Sequence, residues 1–248
     1  MHLFYQPIMS DGAAFLSEEE SKHCVKVLRL QAKDEVFVVD GKGGFYRCEI
    51  TKPDARRCEV RVLEKKTDYG KRPYSIHIAI APTKNSDRME WFVEKCVELG
   101  IDEISFIICE HSERRFFKTD RLEKIAIGAM KQSLKAFLPI INEAESYHCF
   151  LQRTSTAKIA ASADFKFIAY IDAAITAGNR QLLQAVAEPK GRYCVLIGPE
   201  GDFSAKEVSL ALDQEFRPVS LGESRLRTET AGMVACHLLH VIHSNETN

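Results

Sequence analysis

A glycine-led loop near the C-terminus carries residue types that could hold a ligand. It reads Gly-Pro-Glu-Gly-Asp-Phe-Ser at 198–204 and follows the apolar run 195–197. Glycines let the backbone approach a bound molecule and offer it N–H and C=O groups. The loop lacks the Gly-x-Gly-x-x-Gly and Gly-Lys-Ser/Thr patterns of dinucleotide and phosphate sites. A ligand loop and a tight strand-to-helix turn both stay open here, since glycine and proline also favour turns.

A second glycine-led segment is more polar than a simple connection requires. Residues 222–232 read Gly-Glu-Ser-Arg-Leu-Arg-Thr-Glu-Thr-Ala-Gly and lead into an apolar C-terminal helix. Helix capping accounts for Thr228 and Thr230, but it does not account for Arg225 and Arg227 beside Glu229. The arginines could stabilise an anion, and the glutamate could accept a proton or form a structural ion pair.

The elements around both loops alternate between strands and helices. Apolar runs predict strands at Ser75–Ala81, Glu103–Ile108, Phe167–Ile171, Tyr193–Ile197 and Val219–Leu221. Helical periodicity predicts helices at Arg88–Leu99, Asp120–Lys135, Gln181–Ala187, Ala205–Leu212 and Glu229–His243. The alternation indicates a parallel sheet covered by helices, in which ligands bind beyond the carboxyl ends of the strands. Both glycine-led loops fall at such ends, and Ser204 with Glu207 predicts the cap of the helix that follows the first.

The N-terminal part reads as a small β domain. Short runs at 36–39, 45–50 and 58–63, with the turn Asp40–Gly44 between the first two, predict hairpins in a compact barrel. A helix is expected near Ser17–Leu28, with Ser17 and Glu20 as a capping box. The polar stretch Glu64–Pro73 is the expected linker to the second domain.

Composition places the chain among ordinary globular proteins. Hydrophobic residues make up 45% and charged residues 28%, and no run approaches the ~18 apolar residues of a membrane helix. Residues 1–7 lack the basic and apolar regions of a signal peptide, so we expect a soluble cytoplasmic protein without membrane contact. The eight cysteines form no Cys-x-x-Cys pair, and we interpret them as reduced structural thiols.

The net charge of −1 does not by itself favour a polyanionic partner. Two stretches are locally basic: residues 52–72 hold eight basic and four acidic side chains, and residues 110–135 hold seven and four. Solvated surface and RNA contact are both compatible with patches this weak.

The two loops and several further motifs resemble one family. Gly-Pro-Glu-Gly-x-Phe-Ser at 198–204 and Leu-Gly-x-x-x-Leu-Arg-Thr-Glu-Thr-Ala at 221–231 are similar to the bacterial ribosomal RNA small-subunit methyltransferase E family. These are 16S rRNA (uracil(1498)-N3)-methyltransferases of the SPOUT superfamily. The segments 23–30, 84–104, 112–114 and 132–139 also resemble the family, so the likeness covers nearly the whole chain.

The resemblance implies an architecture that periodicity could not provide. It implies a PUA-like RNA-binding barrel at 1–72 and a SPOUT α/β domain at 73–248, tied in a deep trefoil knot at about 193–235. Knots are nearly absent from folds, so only the resemblance predicts this one. It also implies a homodimer with S-adenosylmethionine (SAM) as cofactor and 16S rRNA or the small ribosomal subunit as partner. The matching cofactor positions are Leu196, Ile197, Gly198, Glu200, Gly201, Leu221, Gly222, Leu226, Arg227, Thr228, Thr230 and Ala231.

Methylation of uridine N3 sets the chemistry that these residues must perform. The enzyme must favour the deprotonated base, stabilise charge on O2 and O4, and bring N3 in line with the methyl group. We interpret Arg227 as the electrostatic group and Glu200 or Glu229 as the proton acceptor. The candidate RNA-binding residues are Arg29, Lys65, Lys66, Arg114 and Lys135.

Two positions depart from the family pattern. Asp202 stands where the family usually has a second glycine, and Lys135 stands where an arginine commonly follows Gln-Ser. Lysine keeps the charge of arginine but loses its bidentate geometry.

Two other classes of function stay open. The chain could be an RNA-binding module with a degenerate cofactor pocket, although the intact glycine loops argue against it. It could also bind a metal through His237, His240 and His243, whose spacing puts neighbours on one helix face. The apolar residues around them favour a packed or dimer-facing helix, so we predict no metal.

Overall fold

The computed structural model describes residues 1–9, 12–115, 117–156, 165–170, 181–188 and 190–244. The chain divides into two compact units. The first comprises Met1–Lys71 and Ile127–Leu138, and the second comprises Arg72–Ala126 and Pro139–Asn248. The division into domains 1–72 and 73–248 stays a prediction. The first unit also includes the segment 127–138, which is distant in sequence from its other residues.

The first unit contains a curled five-stranded sheet. Its strands are β1 (Leu3–Tyr5), β2 (Ala13–Phe15), β3 (Glu35–Val39), β4 (Phe45–Lys52) and β5 (Glu59–Lys66). The order is β1-β3-β4-β5-β2, with both predicted hairpins, β3-β4 and β4-β5, antiparallel. The predicted PUA-like domain is confirmed, but as a half-barrel. Among the described residues β1 and β2 do not pair, so the sheet does not close.

The expected linker Glu64–Pro73 is wrong at its start. Glu64, Lys65 and Lys66 belong to β5, where they pair with Arg47, Tyr46 and Phe45. The charged side chains stand on the exposed part of a strand, and sequence polarity alone cannot distinguish an exposed strand from a linker.

The predicted first helix is split. It comprises α1 (Glu18–Lys22) and a π-helical turn at His23–Val27. Ser17 Oγ accepts from Glu20 N at 3.2 Å, which is half of the predicted capping box. The other half is wrong, because Glu20 Oε1 accepts instead from Lys131 Nζ at 2.5 Å and from Tyr5 N at 3.2 Å.

Residues 127–138 pack with the first unit because they meet the turn after β3. Gly43 N donates to Ala136 O at 2.9 Å, and Leu138 N donates to Gly41 O at 3.0 Å. The helix predicted at Asp120–Lys135 is α3 (Asp120–Gln132), which ends before Leu134 adopts a φ of 55°. Lys135 therefore lies beyond the helix.

The second unit contains the predicted parallel sheet. Its strands are β6 (Ser75–Ile80), β7 (Glu103–Ile108), β8 (Ile140–Ile141), β9 (Glu145–Ser146), β10 (Phe165–Ala169), β11 (Gln181–Leu182), β12 (Arg192–Ile197) and β13 (Arg217–Ser220). The order is β11-β13-β10-β12-β6-β7-β8, with β9 also on β7, and every pairing is parallel. Ile171, which we predicted in β10, lies outside the described residues. The knot stays a prediction.

Helices flank this sheet. They are α2 (Ser86–Leu99), α4 (Tyr147–Thr156), α5 (Leu183–Val186), α6 (Ala205–Asp213) and α7 (Thr228–Ser244). Gly100 ends α2 with a φ of 102°, as its position predicted. The helix predicted at Gln181–Ala187 is wrong in its first residues, which form β11. No pattern predicted α4.

The central strands are fully buried, which explains their continuous apolar sequences. Ile76, Ile78, Val195 and Leu196 have no exposed surface. Seven cysteines are buried and Cys149 is exposed. Burial raises the pKa of Cys48 to about 12, so that thiol stays protonated. Among the described residues no helix is long and apolar enough to span a bilayer.

The Glu20–Lys131 pair generates a prediction about the first unit. The Glu20 side chain is 8% exposed, and within the described part of the chain its Oε2 already lacks a hydrogen-bond partner. Lys131→Met would leave a buried carboxylate without its cation, so we expect a loss of about 3 kcal/mol in the free energy of unfolding. Urea titration measures it. The control Lys124→Met changes an exposed lysine of α3 and should stay within about 0.5 kcal/mol. Equal effects of the two variants would contradict a stabilising role of the pair.

Candidate functional site

The strand order brings the two glycine-led loops together. In the sheet β12 and β13 flank β10, and all three run parallel, so their carboxyl ends lie at one edge. The first loop, 198–204, leaves β12, and the second, 221–227, leaves β13. Buried strands thus place two glycine-containing loops next to each other at the edge where α/β sheets bind ligands.

Local hydrogen bonds shape the first loop. Asp202 N donates to Pro199 O at 2.9 Å and closes a turn. Ser204 and Glu207 form the complete capping box predicted for α6. Asp202 has a φ of 62°, the left-handed region that favours glycine and tolerates aspartate. The departure at Asp202 therefore keeps the backbone conformation that a glycine would adopt.

The loop after β7 supports the first loop, and sequence reasoning missed it. The imidazole of His111 donates from Nδ1 to Asp202 O at 3.0 Å. Glu110 N donates to Glu207 Oε1 at 2.8 Å. Gly201 packs against this loop, because a Cβ there would lie 3.1 Å from the Cβ of His111. These contacts join segments some 90 residues apart in sequence, so only the folded chain reveals them.

One side-chain hydrogen bond connects the residue that directly follows the second loop to the first loop. Thr228 Oγ1 donates to Gly198 O at 3.1 Å, so a threonine that capping alone could explain also links the two loops. Gly222 has a φ of 128°, a conformation that L side chains rarely adopt. A Cβ at Gly222 would meet no atom of the described residues within 4 Å, so its conformation, and not crowding, requires glycine.

A cavity of about 410 Å³ lies between the loops. Nine of the residues predicted from the sequence as cofactor positions line it. They are Ile197, Gly198, Glu200, Leu221, Gly222, Leu226, Arg227, Thr228 and Ala231. The cavity therefore combines apolar walls, glycine backbone and a few charged groups, as small-molecule sites do.

Other lining residues were not predicted as cofactor positions. Ala169 and Tyr170 come from the end of β10, and Asp202 and Arg225 come from the two loops. The arginines and acids of the loops were visible in the sequence. The contribution of β10 was not, because it depends on strand order.

Four residues predicted for the site do not line the cavity. Leu196 is buried in the core with no exposed surface, and Gly201 faces His111. Glu229 and Thr230 lie in the first turn of α7, whose Thr228 and Ala231 face the cavity instead.

Arg227 and Glu229 are neighbours in sequence, but they do not form an ion pair with each other. Glu229 is 8% exposed, and its Oε1 lies 3.7 Å from Arg88 Nε of α2. Its Oε2 has no hydrogen-bond partner among the residues that the structure describes. Arg227 is exposed on the cavity wall and forms no ion pair with any described residue. A structural pairing of Arg227 with Glu229 or Glu200 therefore does not occur within the described chain.

The predicted RNA-binding residues fall on both units. Arg29, Lys65, Lys66 and Lys135 belong to the first unit, and Arg114 belongs to the second. Arg29, Lys65 and Lys66 are exposed. Arg114 and Lys135 are partly buried. The guanidinium Cζ of Arg114 lies over the Phe117 ring, 5.3 Å from the ring centroid.

The three histidines of α7 do not converge. His243 donates from Nδ1 to Leu239 O at 2.7 Å and accepts at Nε2 from Lys190 N at 2.9 Å. His240 Nδ1 bonds the hydroxyl of Tyr74 at 2.7 Å, and His237 is exposed. The described residues contain no group of three or more His, Cys, Asp or Glu side chains arranged to hold a metal.

Comparison with family models matches both parts of the chain. Residues 70–240 match the RNA methyltransferase domain. Residues 16–63 match the RNA methyltransferase PUA domain.

Individual proteins are similar over nearly the full length. A structure titled probable rRNA-methyltransferase, from Porphyromonas gingivalis, has a TM-score of 0.89 and 44% identity, covering 99% of this chain and 100% of that chain. The ribosomal RNA small subunit methyltransferase E of Neisseria gonorrhoeae, solved with bound S-adenosyl methionine, has a TM-score of 0.82, 28% identity and 98% coverage of both chains. The Aquifex aeolicus protein of that name is 29% identical over 93% of this chain and 95% of its own.

The backbone of Gly222 generates a prediction. Gly222→Ala introduces no clash but places alanine at a φ of 128°, so we expect a loss of at least about 1 kcal/mol in the free energy of unfolding. Gly128→Ala is the matched control, because Gly128 lies inside α3 with open space around it. It should stabilise by about 0.5–1 kcal/mol. Chemical denaturation compares the two, and effects of the same sign would refute the conformational argument.

Proposed function

The chain belongs to the RNA methyltransferase family, with ribosomal RNA small subunit methyltransferase E homologues over about 90% of its length, and from this premise we propose that it methylates N3 of a uridine in 16S rRNA, the position-1498 type. The observation that carries the proposal is the cavity built by both glycine-led loops, inside the matched methyltransferase region. The cofactor is SAM, which is bound in the similar structure from Neisseria gonorrhoeae.

The residues of the cavity fit SAM. A volume of about 410 Å³ lies within the usual range of small-molecule sites. Ile197, Leu221 and Leu226 offer apolar surface for an adenine ring, and the backbone at Gly198 and Gly222 is open to its polar edges. The carboxylate of Glu200 complements a positively charged sulfonium. When bound, SAM supplies an electrophilic methyl group.

Arg227 is the proposed electrostatic group. It lies on the cavity wall, exposed and without an ion-pair partner among the described residues, so its guanidinium is available to a substrate. Its planar fork can donate to a uracil carbonyl oxygen or to a phosphate. The contact to a carbonyl oxygen favours the anionic form of the base, whose N3 is the better nucleophile, and the contact to a phosphate would position the nucleotide.

Glu200 is the proposed proton acceptor. It lines the cavity, whereas Glu229 points away from it and pairs with Arg88. We therefore propose that Glu229 holds α2 and α7 together at the site and that the N3 proton passes to Glu200. Because N3 lies on the Watson–Crick edge, the target uridine must be unpaired when it reacts.

RNA contacts are proposed on both units. Arg29, Lys65, Lys66 and Lys135 on the first unit and Arg114 on the second would contact phosphates, and such contacts weaken with salt. Lys135 would do so as a point charge without the bidentate geometry of arginine.

A homodimer is also part of the proposal. Helices α2 and α7 pack together and carry exposed apolar side chains, Trp91 at 41% and Val241 at 37%. These two side chains offer apolar surface that a second copy of the chain could bury. Their burial against a second copy would explain why α7 is apolar on more than one face.

Methylation of small ribosomal subunits tests the function. Subunits from a strain that lacks the protein, incubated with the purified protein and SAM, should gain N3-methyluridine in 16S rRNA, as mass spectrometry of nucleosides and fragments would detect. Calorimetry with SAM serves as the control for the cofactor. Absence of both methylation and SAM binding would favour an RNA-binding module with a degenerate pocket, and methylation of another atom would correct the target.

Arg227→Lys should lower single-turnover methylation on the order of 100-fold, because the charge stays while one well-placed donor is lost. SAM affinity and melting temperature should stay unchanged. Arg121→Lys is the control, since Arg121 is exposed on α3, pairs with Glu90 and does not line the cavity. A variant at position 227 with full turnover would remove the proposed role, and a joint fall of SAM affinity and stability would make it structural.

A further inference from the structure

An aromatic side chain of the first unit faces outward from an edge strand. Phe15 of β2 is 39% exposed, while its neighbours Ala14 and Leu16 are 4% and 3% exposed. Strand alternation thus directs Phe15 away from the core. Phe15 therefore keeps a larger apolar surface in water than either neighbour, and that surface is available to a further contact.

A guanidinium group lies over this ring. Arg57 Cζ is 3.9 Å from the centroid of the Phe15 ring, the separation of a stacked pair. Both side chains are exposed, so Phe15 covers one face of the guanidinium and solvent meets the other. Among the described residues Arg57 has no ion-pair partner, in contrast to Arg47, which pairs with Glu35 and Glu64.

The backbone fixes the position of the stack. Asp54 Oδ1 accepts from Arg56 N at 2.7 Å and from Arg57 N at 3.1 Å, and these bonds hold the pKa of Asp54 below its ordinary value. The next residues are tied to the sheet, because Leu16 N donates to Cys58 O at 2.9 Å. A turn closed by the Asp54 carboxylate thus presents two consecutive exposed arginines, of which Arg57 is stacked on Phe15 and Arg56 lies beside it.

We infer that Phe15 and Arg57 form a stacking platform for an unpaired nucleobase, with Arg56 placed to contact the adjacent phosphate. Proteins bind single-stranded RNA by stacking bases on aromatic rings and on guanidinium planes, next to basic groups that follow the backbone. The platform combines an aromatic ring from Phe15, a guanidinium plane from Arg57 and a further basic group from Arg56. It rests on the proposed function, since it names a contact of the first unit with the RNA substrate.

Binding of a short labelled oligouridylate tests the platform. Arg57→Lys keeps the charge and loses the plane, and Phe15→Ala removes the ring, so each should weaken binding about 10-fold, within the range for one stacked base. Each should change binding of a tetrahydrofuran–phosphate oligomer of equal length, which has phosphates and no bases, less than about twofold. The control Arg47→Lys changes an ion-paired arginine of the same sheet and should leave both affinities unchanged.

The outcomes separate this inference from the proposed function. Equal losses on both oligomers would reduce Arg57 to a phosphate contact, and unchanged affinity in Arg57→Lys or no oligouridylate binding by the native protein would overturn the platform. Any of these results could accompany intact methylation of the small subunit. Failure of methylation with normal oligouridylate binding would instead overturn the methyltransferase assignment. Melting temperatures of the variants should match the native protein, which excludes misfolding as the cause of a loss.

Discussion

The buried carboxylate of Glu207 holds the site together. Glu207 is 7% exposed, and its two oxygens accept from Ser204 N at 2.9 Å and from Glu110 N at 2.8 Å. The backbone oxygen of Glu207 accepts from the Tyr147 hydroxyl at 2.9 Å. Burial raises the pKa of Tyr147, so its hydroxyl keeps the proton that it donates. A buried charge is tolerated only when hydrogen bonds satisfy it. This one carboxylate therefore fixes the first loop, the loop after β7 and the start of α6 relative to one another.

The cavity follows from this constraint and from the parallel sheet. With loop 198–204 held by Glu207, the bond from Thr228 Oγ1 to Gly198 O places the second loop beside it. Just after β13 the chain passes through Gly222, whose φ of 128° is a conformation that glycine adopts and L side chains rarely do. The charged side chains of Glu200 and Arg227 then line the cavity between these hydrogen-bonded loops. Such an arrangement holds charged groups in place before a ligand binds, and preorganised groups of this kind are a large contribution of proteins to catalysis.

Local signals in the sequence predicted the elements that depend on local physics. The end of α2 at Gly100 and the capping box of Ser204 each follow from neighbouring residues, and both are confirmed. The strand β1, of three residues, pairs in parallel with a strand more than 30 residues away, so no local pattern marks it. Likewise Glu20 was expected to cap its own helix, but it binds Lys131, 111 residues later in the chain. For the site, glycine spacing and family likeness identified both loops, whereas Tyr170, His111 and the Arg88–Glu229 pair needed the tertiary structure.

Amide hydrogen exchange with and without SAM tests most directly the claim that the two loops form one cofactor site. SAM should slow exchange at the backbone amides of 198–204 and of 221–228 together, because both loops close on the same molecule. The strands β3, β4 and β5 of the first unit should show no change. Slowing in only one loop, or slowing confined to segments outside both, would contradict the account.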